Sequence, residues 1–301
     1  MKKYLPLIAA LSLLGCTAQP ETADSIVARI SPPVFATDTF RVTDFGALPD
    51  GRSGCKPAFD KAIAACAQSG GGVVYVPAGT YFMNGPIHLV SNLNLHLQQG
   101  ARLVFSGTPA HYLPVVKTSW EGTFLQNYSP FIYGYGLQNV AITGPGVIDG
   151  EASQSFAPWA AQQKNDQLLS REMNHKGLPI AERVFGQGHY LRPQLVQLYG
   201  CQNILVEDVR LEDSPFWCLH LLECRNATIR GISFAAYNKN NDGIDPEYSQ
   251  DVLIENITFD NADDNVAIKA GRDHEGRAAV QGSRNIVVRN CLFRGLHALV
   301  I

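Results

Sequence analysis

Five segments of this 301-residue chain repeat one short template, and that repetition restricts the possible folds more than any other feature. Take as origin the polar residue ahead of each segment: Asn139, Asn203, Asn226, Asp251 and Asn285. One and three positions later stand Val140/Ile142, Ile204/Val206, Ala227/Ile229, Val252/Ile254 and Ile286/Val288. Apolar residues at alternate positions mark a strand. Five positions after the origin come Gly144, Asp208, Gly231, Asn256 and Asn290, residue types that bend a chain; eight after come Val147, Leu211, Phe234, Phe259 and Phe293. Each unit therefore reads strand, bend, strand. The last four origins lie 23, 25 and 34 residues apart, too close for helical crossovers throughout and within the range of solenoid coils. The expected fold is all-β, a parallel β-helix.

In such a solenoid, equivalent residues of successive coils sit about 4.8 Å apart and form ladders, so register decides which side chains meet. Counting four residues on from Phe259 and Phe293 sets His297 beside Asp263. Counting back two from Ile244, Val266 and Leu299 aligns Asp242, Asp264 and His297. The counts differ by one residue, which a bulge between Phe259 and Asp263 would absorb. Either way Asp242, Asp263, Asp264 and His297 converge on one patch, with Trp217 one coil earlier.

Taken singly, each has an ordinary explanation: an Asp at a bend is a solvated turn residue, and a lone His is a surface or packing residue. Together they do not. Carboxylates stacked at strand spacing repel one another and raise at least one pKa, which suits a site needing one protonated and one ionised carboxyl group. Glycoside hydrolysis has that requirement.

The motifs NNDGIDP (240–246), NADDNVAIKAGRD (261–273) and RGLHALVI (294–301) resemble the Asn-x-Asp, paired-Asp and Gly-His-Gly motifs of the polygalacturonases of glycoside hydrolase family 28. The resemblance extends back through 192–217, GPGVIDG (144–150), DFGALPDG (44–51) and 70–103, nearly the whole mature chain. It implies a right-handed parallel β-helix, hydrolysis of α-1,4-galacturonosyl bonds of pectin with inversion, and no metal or cofactor. It further implies Asp263 as general acid, Asp242 and Asp264 as holders and activators of the attacking water, and His297 as a support for the acid. The chain reads Ala-Asp-Asp-Asn and Leu-His-Ala where many relatives carry Gly-Asp-Asp-Cys and Gly-His-Gly, which adds bulk beside His297. Residue 301 precedes the coil in which the family places an Arg-x-Lys motif, so the catalytic domain, 40–301, is expected to be C-terminally incomplete. Two other readings use the same solenoid: a calcium-dependent eliminase of pectate lyase type, with clustered Asp residues as ligands, and a β-helix that binds polysaccharide without turnover.

The N-terminus, with MKK, an apolar run from Tyr4 to Leu14 and then Gly15-Cys16, resembles a bacterial lipoprotein signal. Residues 1–15 are then a signal, Cys16 is lipidated, 16–39 is a flexible tether, and the product is exported and anchored by lipid at the outer membrane or in the periplasm. Removing Lys2 and Lys3 leaves 22 basic against 27 acidic residues, net −5. A polyanionic partner such as pectic polysaccharide or oligogalacturonide then needs a local cationic patch, for which Lys239, Lys269 and Arg272 are the candidates; nucleic acid is excluded as a partner. Pro57 followed by Phe59, Ala62, Ile63 and Cys66 on one face predicts a helix capping the first coil. Cys55 and Cys66 at its ends are too far apart to bridge, whereas Cys201 and Cys224 should stack in neighbouring coils. The seven cysteines have no metal-ligand spacing. Residues 151–190 interrupt the repeat and read as an insertion with a helix near 160–169, a wall of the cleft, with Trp159 and Trp217 available to stack on sugars. GQG at 186–188 lacks the flanking strand and helix of a nucleotide site.

Overall fold

The computed structural model describes residues 21–301, and three long parallel sheets wind through it as the faces of one solenoid. The first has eight strands, from Thr39–Arg41 to Arg284–Arg289; the second six, from Asp50–Gly54 to Ser233–Ala235; the third seven, from Ile87–His88 to Leu299–Val300. This is the expected right-handed parallel β-helix.

The five template origins all have left-handed backbone, with φ between 53° and 57°, and so do the five bend residues, Gly144, Asp208, Gly231, Asn256 and Asn290. Asn, Asp and Gly tolerate that conformation best, which is why these types recur. The origins also bond to one another: Asn139 Nδ2 donates to Asn92 Oδ1 (2.8 Å), Asn203 to Asn139 (2.9 Å), Asn226 to Asn203 (2.7 Å) and Asn285 to Asp251 Oδ1 (3.0 Å). The interior is built by the alternate apolar positions, Val140, Ile204, Ala227, Val252 and Ile286 in one row, and by Phe234 and Phe259 stacked at 5.1 Å, on which the exposed Phe293 stacks in turn at 5.4 Å. In the first unit the register slips by one: Ile148, not Val147, pairs with Leu211, because Gly144-Pro145-Gly146 makes a longer corner.

Helix α1 spans Ala23–Arg29 and α2 spans Lys56–Gln68. The latter buries Ala58, Phe59, Ala62, Ile63 and Cys66 over the first coil, as the sequence predicts for a cap. The former is a departure: where a tether was expected, α1 lies against the solenoid, with Arg29 paired to Asp251 (2.7 Å) and Ser31 bonded to Asn226. The signal and Cys16 fall outside the described residues. All six described cysteines are free thiols; Cys201 and Cys224 stand in neighbouring coils, where Cys201 donates to the Tyr199 carbonyl and Cys224 to the Leu198 carbonyl (3.1 Å).

The insertion carries α3, Lys164–His175, later than the 160–169 expected, because Ala157–Ala161 first makes a 3-10 turn around Pro158. A hairpin of Val116–Trp120 and Thr123–Asn127, extended by Val184–Phe185, lies over the outer face of the seven-stranded sheet. A fourth helix, α4, spans Asp273–Ala278 and is tied to the hairpin by Glu275, which accepts from the Phe124 amide and from Arg183.

Candidate active site

The site is assembled at the entrance to the last strands of the seven-stranded sheet. Ile244 pairs with Val266 and Val266 with Leu299, so the residues two positions earlier, Asp242, Asp264 and His297, stand in register. The Phe259 and Phe293 rings are also aligned. The middle coil therefore holds one more residue than the last between its phenylalanine and the site. That extra residue projects Asp263 beside Asp264, and the Asp263 carbonyl accepts from the Leu296 amide (2.9 Å).

Buried amides hold these turns. Asn241 donates to the carbonyls of Ser214 and Phe216, both at 2.8 Å. Asn261 donates to the carbonyls of Asn241, Asp263 and Asp264 at 2.9–3.0 Å, and Asn265 donates to Asn261 Oδ1 while accepting from the Gly295 amide. Arg192, fully buried, donates to the Pro215 and Lys239 carbonyls and to Asn240 Oδ1 (2.7 Å), fixing the turn ahead of Asp242. Burial pulls its guanidinium down to about 10. Sequence reasoning passed over Asn241, Asn261, Asn265 and Arg192. The asparagines bracketing the Asp motifs were the available signal for the first three, since an amide can satisfy several backbone groups of a buried turn; Arg192, fifty residues upstream, had none.

Asp242 is buried and Asp263 and Asp264 half-buried, while His297 is exposed. The His297 Nδ1 lies 2.6 Å from Asp264 Oδ1, so the imidazole is paired with Asp264 and not with Asp263. Burial pushes the Asp242 carboxyl up to about 6, against the pull of Lys269 and with a further push from Asp263. The Lys269 ammonium lies 3.1 Å from Asp242 Oδ2, 2.9 Å from Asp245 Oδ1 and 4.4 Å from the Trp217 ring centre. A residue expected to meet the substrate thus has its charge engaged by two carboxyls. Of the other two candidate cations, Arg272 lines the cavity, 3.8 Å from Glu121, whereas Lys239 is exposed outside it. Trp217 is buried, with one face taken by Lys269, and Trp159 packs among Tyr128, Phe156 and Tyr190.

These groups border a cavity of about 460 Å³ lined by Asp242, Asp263, Asp264, Trp217 and the 268–272 segment. The hairpin tip, Glu121-Gly122, forms its far wall. Gly122 (φ 79°) approaches so closely that a Cβ there would come within 2.9 Å of the Gly271 carbonyl carbon. Glu121 is held by Arg171 (3.0 Å) and Gln167 (3.1 Å) of α3, so the insertion does brace a wall of the cleft. A larger cavity of about 680 Å³ between α4 and Tyr248 contains none of the Asp motifs.

Residues 66–301 match the profile of glycosyl hydrolases family 28. The chain is 29% identical to a probable polygalacturonase of Vitis vinifera, over 82% of its own length and 48% of the relative's. It is 28% identical to an exo-poly-alpha-D-galacturonosidase of Dickeya chrysanthemi, over 95% and 51% respectively. The chain thus spans about half the length of these relatives. Among solved structures, an exopolygalacturonase from Thermotoga maritima superposes with a TM-score of 0.88 at 42% identity, covering 91% of this chain and 64% of that one.

Proposed function

The chain belongs to glycosyl hydrolases family 28, and on that premise we propose that it hydrolyses α-1,4-galacturonosyl bonds of pectic polymers with inversion. The observation that carries this reading is the convergence of Asp242, Asp263 and Asp264 on one cavity, with His297 bonded to Asp264. Asp263 protonates the glycosidic oxygen as the bond to the anomeric carbon breaks. Asp242 and Asp264 orient a water and take its proton as its oxygen attacks the opposite face. His297, bonded to Asp264, holds that carboxylate in place. The eliminase alternative has no comparable support, because Asp242 shares an ammonium with Asp245 and family membership favours hydrolysis.

Attack proceeds from chain ends. The hairpin tip lies against Gly271 and Arg272 and walls the cavity, an arrangement that suits capture of a chain end, and the 42% identical structural neighbour is an exopolygalacturonase. Early digestion of polygalacturonate should release short products of one size with little fall in viscosity. A ladder of oligomers would refute end attack, and absence of new reducing ends would refute hydrolysis.

The reading includes export and lipidation at Cys16, supported by the Leu13–Cys16 sequence. No helix among the described residues is long and apolar enough to cross a membrane. Cells expressing the full chain should incorporate labelled palmitate into it, and Cys16→Ser should abolish the label; equal labelling of both would remove the anchor from the account.

A further inference from the structure

Half-buried Lys269 and the buried Asp245 and Asp242 form a triad whose charges do not balance. Two carboxyls face one ammonium, and Asp245 has no exposed surface. Although Lys269 Nζ is 2.9 Å from Asp245 Oδ1, it is aligned for hydrogen bonding only with Asp242, which leaves both Asp245 oxygens without an aligned donor. A carboxylate so placed is strongly disfavoured, whereas a carboxylic acid needs no donor and can supply a proton to its neighbour.

We propose that Lys269 and Asp245 are positioning residues for Asp242, the first as an ammonium and the second as a neutral carboxylic acid, and that both hold Asp242 ionised and turned toward the cleft. This rests on Asp242 acting as base in the proposed hydrolysis. Burial, then the Asp242 charge, keeps Asp245 well above the usual carboxyl range; Lys269 is raised overall because Asp245 and Asp242 outweigh its burial.

The other charges around Asp242 do not duplicate the triad. Glu247, further along the same strand, pairs with buried His220 (3.0 Å) and Ser119. Across the turn, Asp263 repels Asp242, while Asp264 is engaged by His297. Arg192 is committed to Asn240 and backbone carbonyls, and Arg272 faces Glu121. Lys269 is therefore the cation bonded to an Asp242 oxygen.

The test is the pH dependence of kcat/KM on polygalacturonate for the full chain and for Lys269→Met, Lys269→Arg, Asp245→Asn and Asp245→Val. Loss of an opposite charge at this distance should move the acid limb of Lys269→Met up by about one pH unit or more. Activity lost at low pH should then return at high pH, and Lys269→Arg should restore part of the shift. Asp245→Asn keeps a neutral donor and should leave the limb in place, whereas Asp245→Val should raise it. A pH-independent loss with raised KM in Lys269→Met would make Lys269 a substrate ligand and overturn the proposal. So would a downward limb in Asp245→Asn, which would show Asp245 ionised. Titrating the Asp242 carboxyl carbon by NMR in the same variants reads the effect without turnover. Matching NMR shifts in a protein inactive on galacturonan would sink the hydrolase reading alone, and an unmoved Asp242 in an active one would sink the triad alone.

Discussion

At the scale of single residues, Asp242 links chemistry to stability. Its carboxyl is raised to about 6 from an ordinary 3.8 because it is buried. A carboxyl whose folded pKa is raised binds its proton more tightly when folded. Its stabilising contribution is complete below the unfolded pKa and is lost as pH rises through about 6. The expected outcome is that the wild type loses stability between pH 4 and about 6 relative to Asp242→Asn, by up to about 3 kcal/mol. Urea midpoints of the two proteins across that window measure it; parallel curves would show that Asp242 titrates as an exposed group does. The same substitution should reduce kcat by about 10²–10⁴ if Asp242 is the base. Asp242, Asp263, Asp264 and His297 could be aligned from the chain alone because the repeat carries their register. The destination of the Lys269 charge could not, since it depends on two carboxyls from the preceding coil and on the indole of Trp217.

At the scale of elements, the corners and the stacked interior make separable contributions. Asn226 combines left-handed backbone with ladder bonds to Asn203 and to Ser31. Asn226→Ala should cost about 1–3 kcal/mol, from the lost bonds and the strain of a Cβ at positive φ, and Asn226→Gly should cost less because the strain is absent. Equal losses in chemical denaturation would show that backbone strain plays no part. Phe259, between Phe234 and Phe293 and without exposed surface, should cost about 3–5 kcal/mol on truncation to Ala, since two flanking rings cannot collapse into the gap. Strands and corners were legible because both are encoded locally, by alternation and by residues suited to positive φ. The slip at Ile148 was not, because a Gly-Pro-Gly corner can add a residue without altering the apolar pattern. Nor was the order of α1, whose anchors Asp251 and Asn226 lie about 200 residues further along the chain.

At the scale of the whole molecule, the face carrying the candidate carboxyls and the elements enclosing it come from different parts of the chain. The hairpin leaves the solenoid well before the coils of Asp242, Asp264 and His297, is braced by α3 and α4, and sets its tip against Gly271. Gly122→Val should displace that tip, because the backbone is left-handed and a Cβ has no room there. The expected result is a cleft open at both ends, with a longer mixture of early products from polygalacturonate and little change in rate on a short oligogalacturonide. Chromatography of early digests decides it: an unchanged product spectrum would mean that the tip does not control access.

The amino-acid sequence by itself determined the solenoid, its ladders and the meeting of three carboxyls with one imidazole, because a repeat turns linear spacing into vertical stacking. Only the tertiary structure decided how those groups are charged and enclosed: His297 on Asp264, Lys269 between Asp242 and Asp245, Arg192 beneath Asn240, and a distant hairpin across the cleft. Pairings and walls of that kind depend on distances between segments that share no repeat, and the spacing of residues along a chain does not contain those distances.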